Sequence, residues 1–184
     1  MTPSRALVES LPKIDLHRHL DGSIRTETIL ELAQEHGIEL PARTSSELEP
    51  HVTVSPYCRD LSEFLSCFET FYPVLQFPQA MERIALELCE DLVEENVIYA
   101  EVRFAPVLLT EAGHSQREMV EAVLSGLSRG TEGTNTDVNL ILCFYRGTDP
   151  GDSTKTLEVA RQFRDSGVVG IDLAGDESSY PAEP

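Results

Sequence analysis

The stretch KIDLHRHLDGS, residues 13 to 23, sets His17 and His19 one residue apart in a strand-like run, with Asp21 next in the same register. Alternate side chains of a β-strand share a face, so this spacing predicts His17, His19 and Asp21 on one face and Ile14, Leu16 and Leu20 on the other. Histidines at i and i+2 have Cα atoms about 6.6 Å apart. With Zn–N bonds of about 2.0 to 2.1 Å, two imidazoles at that separation can converge on one ion. A lone His-x-His is commonly incidental, so the weight of the pair depends on where the fold places it.

The elements around it alternate between strand and helix. TETILELAQEHG (26 to 37) has Thr26 as a candidate N-cap and Gly37 as a stop, with an apolar stripe through Ile29, Leu30, Leu32 and Ala33. Residues 79 to 96 repeat Met81, Ile84, Ala85, Leu88 and Leu92 at helical spacing and run directly into VIYAEVRFA (97 to 105), which reads as a strand. A helix over 116 to 129, a strand over 138 to 145, a helix around Leu157, Ala160 and Phe163, and a strand over 167 to 175 complete the pattern. Strands separated by helices imply parallel pairing, and near-continuous apolar strands imply burial on both faces. The expected architecture is α/β, a (β/α) barrel with active groups at the carboxyl ends of its strands, where His17, His19 and Asp21 stand. A full barrel needs eight strands in about 250 residues. Residues 1–184 hold four, so the expectation is one partial domain, the N-terminal half of a TIM barrel.

The connection from residue 21 to 96 is longer than one crossover helix needs. Within it DLSEFLSCFETFY (60 to 72) carries Leu61, Phe64, Leu65, Phe68 and Tyr72 as a helical stripe between Pro56 and Pro73. Such a stripe is either ordinary core packing or a lid over a pocket mouth.

Composition excludes several roles. The chain is 41% hydrophobic and 25% charged, enough to bury a core. Fourteen basic against thirty-two acidic residues give a net charge of -18, which repels nucleic acid phosphates and anionic lipid and favours a small neutral or cationic ligand. Cys58, Cys67, Cys89 and Cys143 are scattered with no Cys-x-x-Cys pair, which favours reduced thiols. No apolar run reaches the roughly 20 residues of a membrane span, and the N-terminal stretch lacks the apolar segment of a signal peptide. The expected location is cytoplasmic.

LPKIDLHRHLDGS, LSEFLSCF, VIYAEVRFAP and VVGIDLAGDE together resemble the metal-dependent adenosine and AMP deaminase family, its adenosine deaminases above all. The resemblance spans nearly the whole chain. It implies hydrolytic deamination of adenosine to inosine, with zinc-activated hydroxide attacking purine C6 before ammonia leaves. It also implies that His17 and His19 are zinc ligands and that His19 lies against the substrate. Asp21 would accept from the ribose 5′-hydroxyl, Gly175 would offer its backbone to the purine, and Leu61, Phe64, Leu65 and Phe68 would line an apolar gate. In related adenine deaminases a glutamate stands at the place of Asp21, and in methylated-AMP deaminases an asparagine, so Asp21 points to adenosine.

The residues alone leave other readings open. Gly175 can serve only as a turn glycine and Asp21 only as a turn residue beside Gly22. Glu101 and Arg103 share a strand face and are expected to form a structural ion pair; Asp172 and Asp176 lie near the site without a role. His36, His51 and His114 fall at a helix end or in loops and do not make a third ligand. The relatives' third histidine, ring-protonating glutamate, further histidine and aspartate come from later strands and match nothing here. The general acid and base are therefore expected outside these residues, and the chain alone should hold metal weakly. The rival reading is a non-catalytic binding or assembly module of the same fold, or a deaminase for a related purine. Expected partners are a purine nucleoside, copies of itself, or a complementing C-terminal half.

Overall fold

A computed structural model describes residues 3–181, with the side chain of Ser62 set aside; residues 1–2 and 182–184 of the expected domain lie outside the described residues. Four strands, β1 (Lys13–His19), β2 (Val97–Phe104), β3 (Asp137–Tyr145) and β4 (Val168–Ala174), form one parallel sheet in the order β1-β2-β3-β4. The connections carry α1 (Arg5–Ser10) before β1, then α2 (Thr26–His36), α3 (Ser45–Val52), α4 (Leu61–Glu69) and α5 (Pro78–Glu94) between β1 and β2. Helices α6 (Gln116–Thr131) and α7 (Pro150–Phe163) provide the other two crossovers. Sequential parallel strands joined by helices are the N-terminal half of a β/α barrel.

The expected helices form for the expected reasons. Helix α5 buries Met81, Ile84, Ala85, Leu88 and Leu92 on one face, with Pro78 in its first turn, where a missing N–H costs nothing. Gly37 ends α2 at φ 67°, its N–H donating to the last carbonyls; Thr26, expected as the cap, is instead the first helical residue after Arg25. Helix α6 starts with a capping box between Ser115 and Glu118. The sheet face carrying Ala100, Val102, Phe104, Leu140 and Leu142 buries against these helices.

Two expectations about the strands change. Strand β1 does not alternate cleanly. Ile14 pairs with Tyr99 and His19 with Arg103, two residues on one face of β2, whereas Asp15 and Arg18 oppose Ala100 and Val102 on the other. Three steps on β1 against two on β2 are a bulge, so Ile14 shares the histidine face. Nor are all strands buried on both sides. Ile14 and Leu16 on β1 are 63% and 58% exposed, and Val169, Ile171 and Leu173 on β4 are 46–51% exposed; β1 and β4 are the two edge strands of the sheet.

The long β1 to β2 connection holds α2, α3, α4 and a 3-10 turn, Tyr72–Gln76, before α5. Gln76, only 6% exposed, ties that turn down: its amide nitrogen donates to the carbonyls of Tyr72 and Leu108, and its amide oxygen accepts from the Glu111 N–H. Among the described residues no helix is long and apolar enough to cross a membrane.

Candidate active site at the carboxyl end of the sheet

A cleft of about 640 Å³ opens at the carboxyl ends of the strands. His17, His19, Asp21, Leu61, Phe64, Leu65, Phe68 and Gly175, every site residue named from the sequence, line it. Both histidines face the cleft, and their Nε2 atoms stand 3.3 Å apart. Two tetrahedral ligands about 2.0 to 2.1 Å from zinc stand about 3.3 to 3.4 Å from one another. The imidazole pair therefore has the separation that a shared ion requires. Among the described residues no third His, Cys, Asp or Glu joins them in a metal-holding group. The pair fits half of a centre, since a catalytic zinc takes about three protein ligands.

Asp21 follows β1 in a turn closed by the Ser23 N–H donating to the Leu20 carbonyl, with the Ser23 hydroxyl on the His19 carbonyl. Its carboxylate caps neither. Oδ2 accepts from the Tyr72 hydroxyl at 3.2 Å. Oδ1 is buried without a hydrogen-bond partner among the described residues, 3.8 Å from Nδ1 of His19, beyond hydrogen-bond range. Burial first, then the Asp21 charge, pushes the Tyr72 phenol well above its ordinary value. The same two causes raise Tyr145, which also lines the cleft.

Helix α4 forms one wall. Asp60 caps it through the Glu63 N–H. Of its stripe only Phe68 is buried, against Phe71 and Tyr72, while Leu61 and Phe64 remain 47% and 36% exposed toward the cleft. The stripe is thus both: Leu61 and Phe64 wall the cleft while Phe68 also joins the core. Gly175 has φ 104°, so it is a turn glycine as well as a cleft residue.

The expected Glu101–Arg103 pair does not form. Arg103, 6% exposed, pairs with Asp172, and its Nη1 lies 3.1 Å from Nε2 of His17. Glu101 instead accepts from the Tyr99 hydroxyl at 2.9 Å. The guanidinium reaches past Cys143, the neighbour of Asp172 on β3, to the inner face of β4. Burial pushes the Cys143 thiol up to about 11, so it is neutral at physiological pH. His36 stacks on Phe77 at 3.7 Å and His114 meets the same ring edge-on, both away from the cleft. Tyr72, Arg103 and Asp172 had no site role from sequence. For Arg103 and Asp172 strand register was the available signal, which only cross-strand placement turns into a contact; Tyr72 sits in the 3-10 turn after α4 and carried only the helical stripe.

The family model described as adenosine deaminase matches residues 12–184. An adenosine deaminase of Clostridium perfringens is 41% identical over 168 residues, covering 91% of this chain and 51% of the relative. Among solved structures, Arabidopsis ADAL complexed with GMP aligns with a TM-score of 0.77 at 35% identity over 92% of this chain and 51% of that one. A Burkholderia ambifaria amidohydrolase with bound Zn shares the fold, with a TM-score of 0.82 at 24% identity, over 97% of this chain and 48% of that one. The chain spans about half the length of these proteins, and by its sequence and the cleft at its strand ends it belongs to the adenosine deaminase family.

Proposed function

We propose that the protein carrying this chain is a zinc-dependent deaminase that converts adenosine and water to inosine and ammonia. The observation that carries the reading is the pair of imidazole nitrogens 3.3 Å apart at the floor of the cleft, beside a carboxylate with one unpartnered oxygen. His17 and His19 would hold zinc through Nε2. When bound, zinc supplies a Lewis acid that lowers the pKa of water enough for hydroxide near neutral pH. His19 also presents its ring to the purine side of the cleft. Asp21 accepts the ribose 5′-hydroxyl at Oδ1, which fixes the nucleoside along the cleft. Leu61, Phe64, Leu65 and Phe68 cover it and exclude water, while the backbone at Gly175 borders the purine. The third metal ligand and the groups that move protons at the purine ring belong to residues outside this chain.

Asp21 decides between a nucleoside and a 5′-nucleotide, because a carboxylate accepts from a hydroxyl and repels a phosphate. This is the alternative that matters, since the aligned Arabidopsis protein was solved with GMP. In the protein carrying this chain, adenosine should yield inosine and ammonia in equal amounts, with loss of activity on chelation. Asp21→Ala should lower kcat/KM for adenosine about 10- to 100-fold, as loss of a charged hydrogen bond of about 1.5 to 3 kcal/mol requires. 5′-Deoxyadenosine should be nearly unaffected. Faster turnover of adenosine monophosphate than of adenosine would overturn the substrate reading.

A further inference from the structure

We infer that Tyr72 is a positioning residue for substrate specificity, orienting Asp21 so that one carboxylate oxygen is reserved for a ligand hydroxyl; this rests on the reading of Asp21 above. Three observations converge. The Tyr72 phenol donates to Oδ2 of Asp21 at 3.2 Å, and Oδ1 is left buried and without a partner among the described residues. The backbone that carries Tyr72 is itself fixed, because Gln76 spends its whole amide on the Tyr72 and Leu108 carbonyls and the Glu111 N–H. The ring is held on its other side by Phe68 and Phe71, at centroid distances of 5.7 and 6.1 Å.

An acidic side chain after a strand can turn either oxygen to its neighbours. Here a neutral phenol, kept protonated by burial and by the carboxylate beside it, fills one oxygen with a hydrogen bond. The other oxygen then faces a low-dielectric pocket with its acceptor capacity unspent, which is costly unless a ligand donor completes it. The partner this selects is a neutral hydroxyl donor of a nucleoside sugar. Tyr72 also begins the turn that follows α4, so the wall of the cleft and the specificity carboxylate share one anchor.

The test is a double-substitution cycle in the zinc-loaded protein that carries this chain, reading kcat/KM for adenosine and 5′-deoxyadenosine. The unaltered chain should favour adenosine by about tenfold or more, the size expected for one charge-assisted hydrogen bond. Tyr72→Phe keeps the ring and removes only the donor. It should reduce that preference at least threefold while leaving kcat/KM for 5′-deoxyadenosine within about twofold. In an Asp21→Ala background the same substitution should change neither ligand. Equal weakening of both ligands by Tyr72→Phe would show that the phenol only packs the wall, and an unchanged preference would show that it does not orient Asp21; either overturns the inference. Absence of any preference for adenosine in the unaltered chain would instead overturn the Asp21 reading, and the inference with it. Gln76→Ala serves as a second variant that leaves the phenol intact: it frees the backbone that carries Tyr72, and it should reproduce the lost preference in part. An unchanged preference there, with Tyr72→Phe also silent, confirms the overturning result.

Discussion

At the residue scale, the convergence of His17 and His19 was legible from spacing alone, but which neighbours share their face was not. Simple alternation puts Ile14 opposite them, and the bulge that brings it to their face is a mismatch between β1 and β2 that one strand cannot reveal. Arg103 illustrates the same limit. Its own strand offers Glu101 as the nearest acid in register, whereas the guanidinium takes Asp172 two strands away. The imidazole pair gives a direct expectation for metal. Zinc retained by this chain after dialysis against a mild chelator, measured by atomic absorption, should fall to background in both His17→Ala and His19→Ala. With only two ligands present, the affinity should lie far below that of a complete site. Tight stoichiometric zinc surviving both substitutions would remove the histidines from the centre.

At the element scale, the long amphipathic helices and apolar strands were readable because burial on one face writes a period into the sequence. The 3-10 turns at Tyr72–Gln76 and Pro106–Leu109 and the short helix α3, with Pro50 inside it, have no such period and appear only in the structure. Helix α6 shows what periodicity also hides. It packs on α5 through Gly126 and Gly130, where an added Cβ would stand 2.2 Å from the Glu82 carbonyl oxygen and 2.5 Å from Cys89 Cβ. Alanine normally favours a helix over glycine by about 1 kcal/mol. Here the clash with backbone should dominate, and Gly126→Ala should destabilise by about 1 to 3 kcal/mol or more, as overpacking does. Chemical denaturation should show Gly126→Ala well below the unaltered chain. A stability gain of the propensity size would mean that α5 and α6 can separate freely.

At the scale of the whole molecule, two terms oppose one another. The outer edges of β1 and β4 have no strand partner among the described residues, and Ile14, Leu16, Val169, Ile171 and Leu173 on those strands are about half exposed. Unpaired edges with apolar side chains pair with other chains. The net charge of -18 holds copies apart. Screening shortens that repulsion from about 10 Å at 0.1 M salt to about 3 Å at 1 M, while leaving the apolar term intact. Sedimentation velocity should therefore show self-association that grows with salt, the opposite of an interface held by ion pairs. Ile171→Glu, which adds charge on the exposed strand, should reduce it. Val93→Glu, which adds the same charge on helix α5 rather than on an edge strand, should reduce it less. If a C-terminal segment of the same gene product covers these strands, adding it should abolish the salt-dependent association, since the same edges cannot serve both partners. A monomer indifferent to salt and to both substitutions would mean that the edge strands are protected by their own twist and charge.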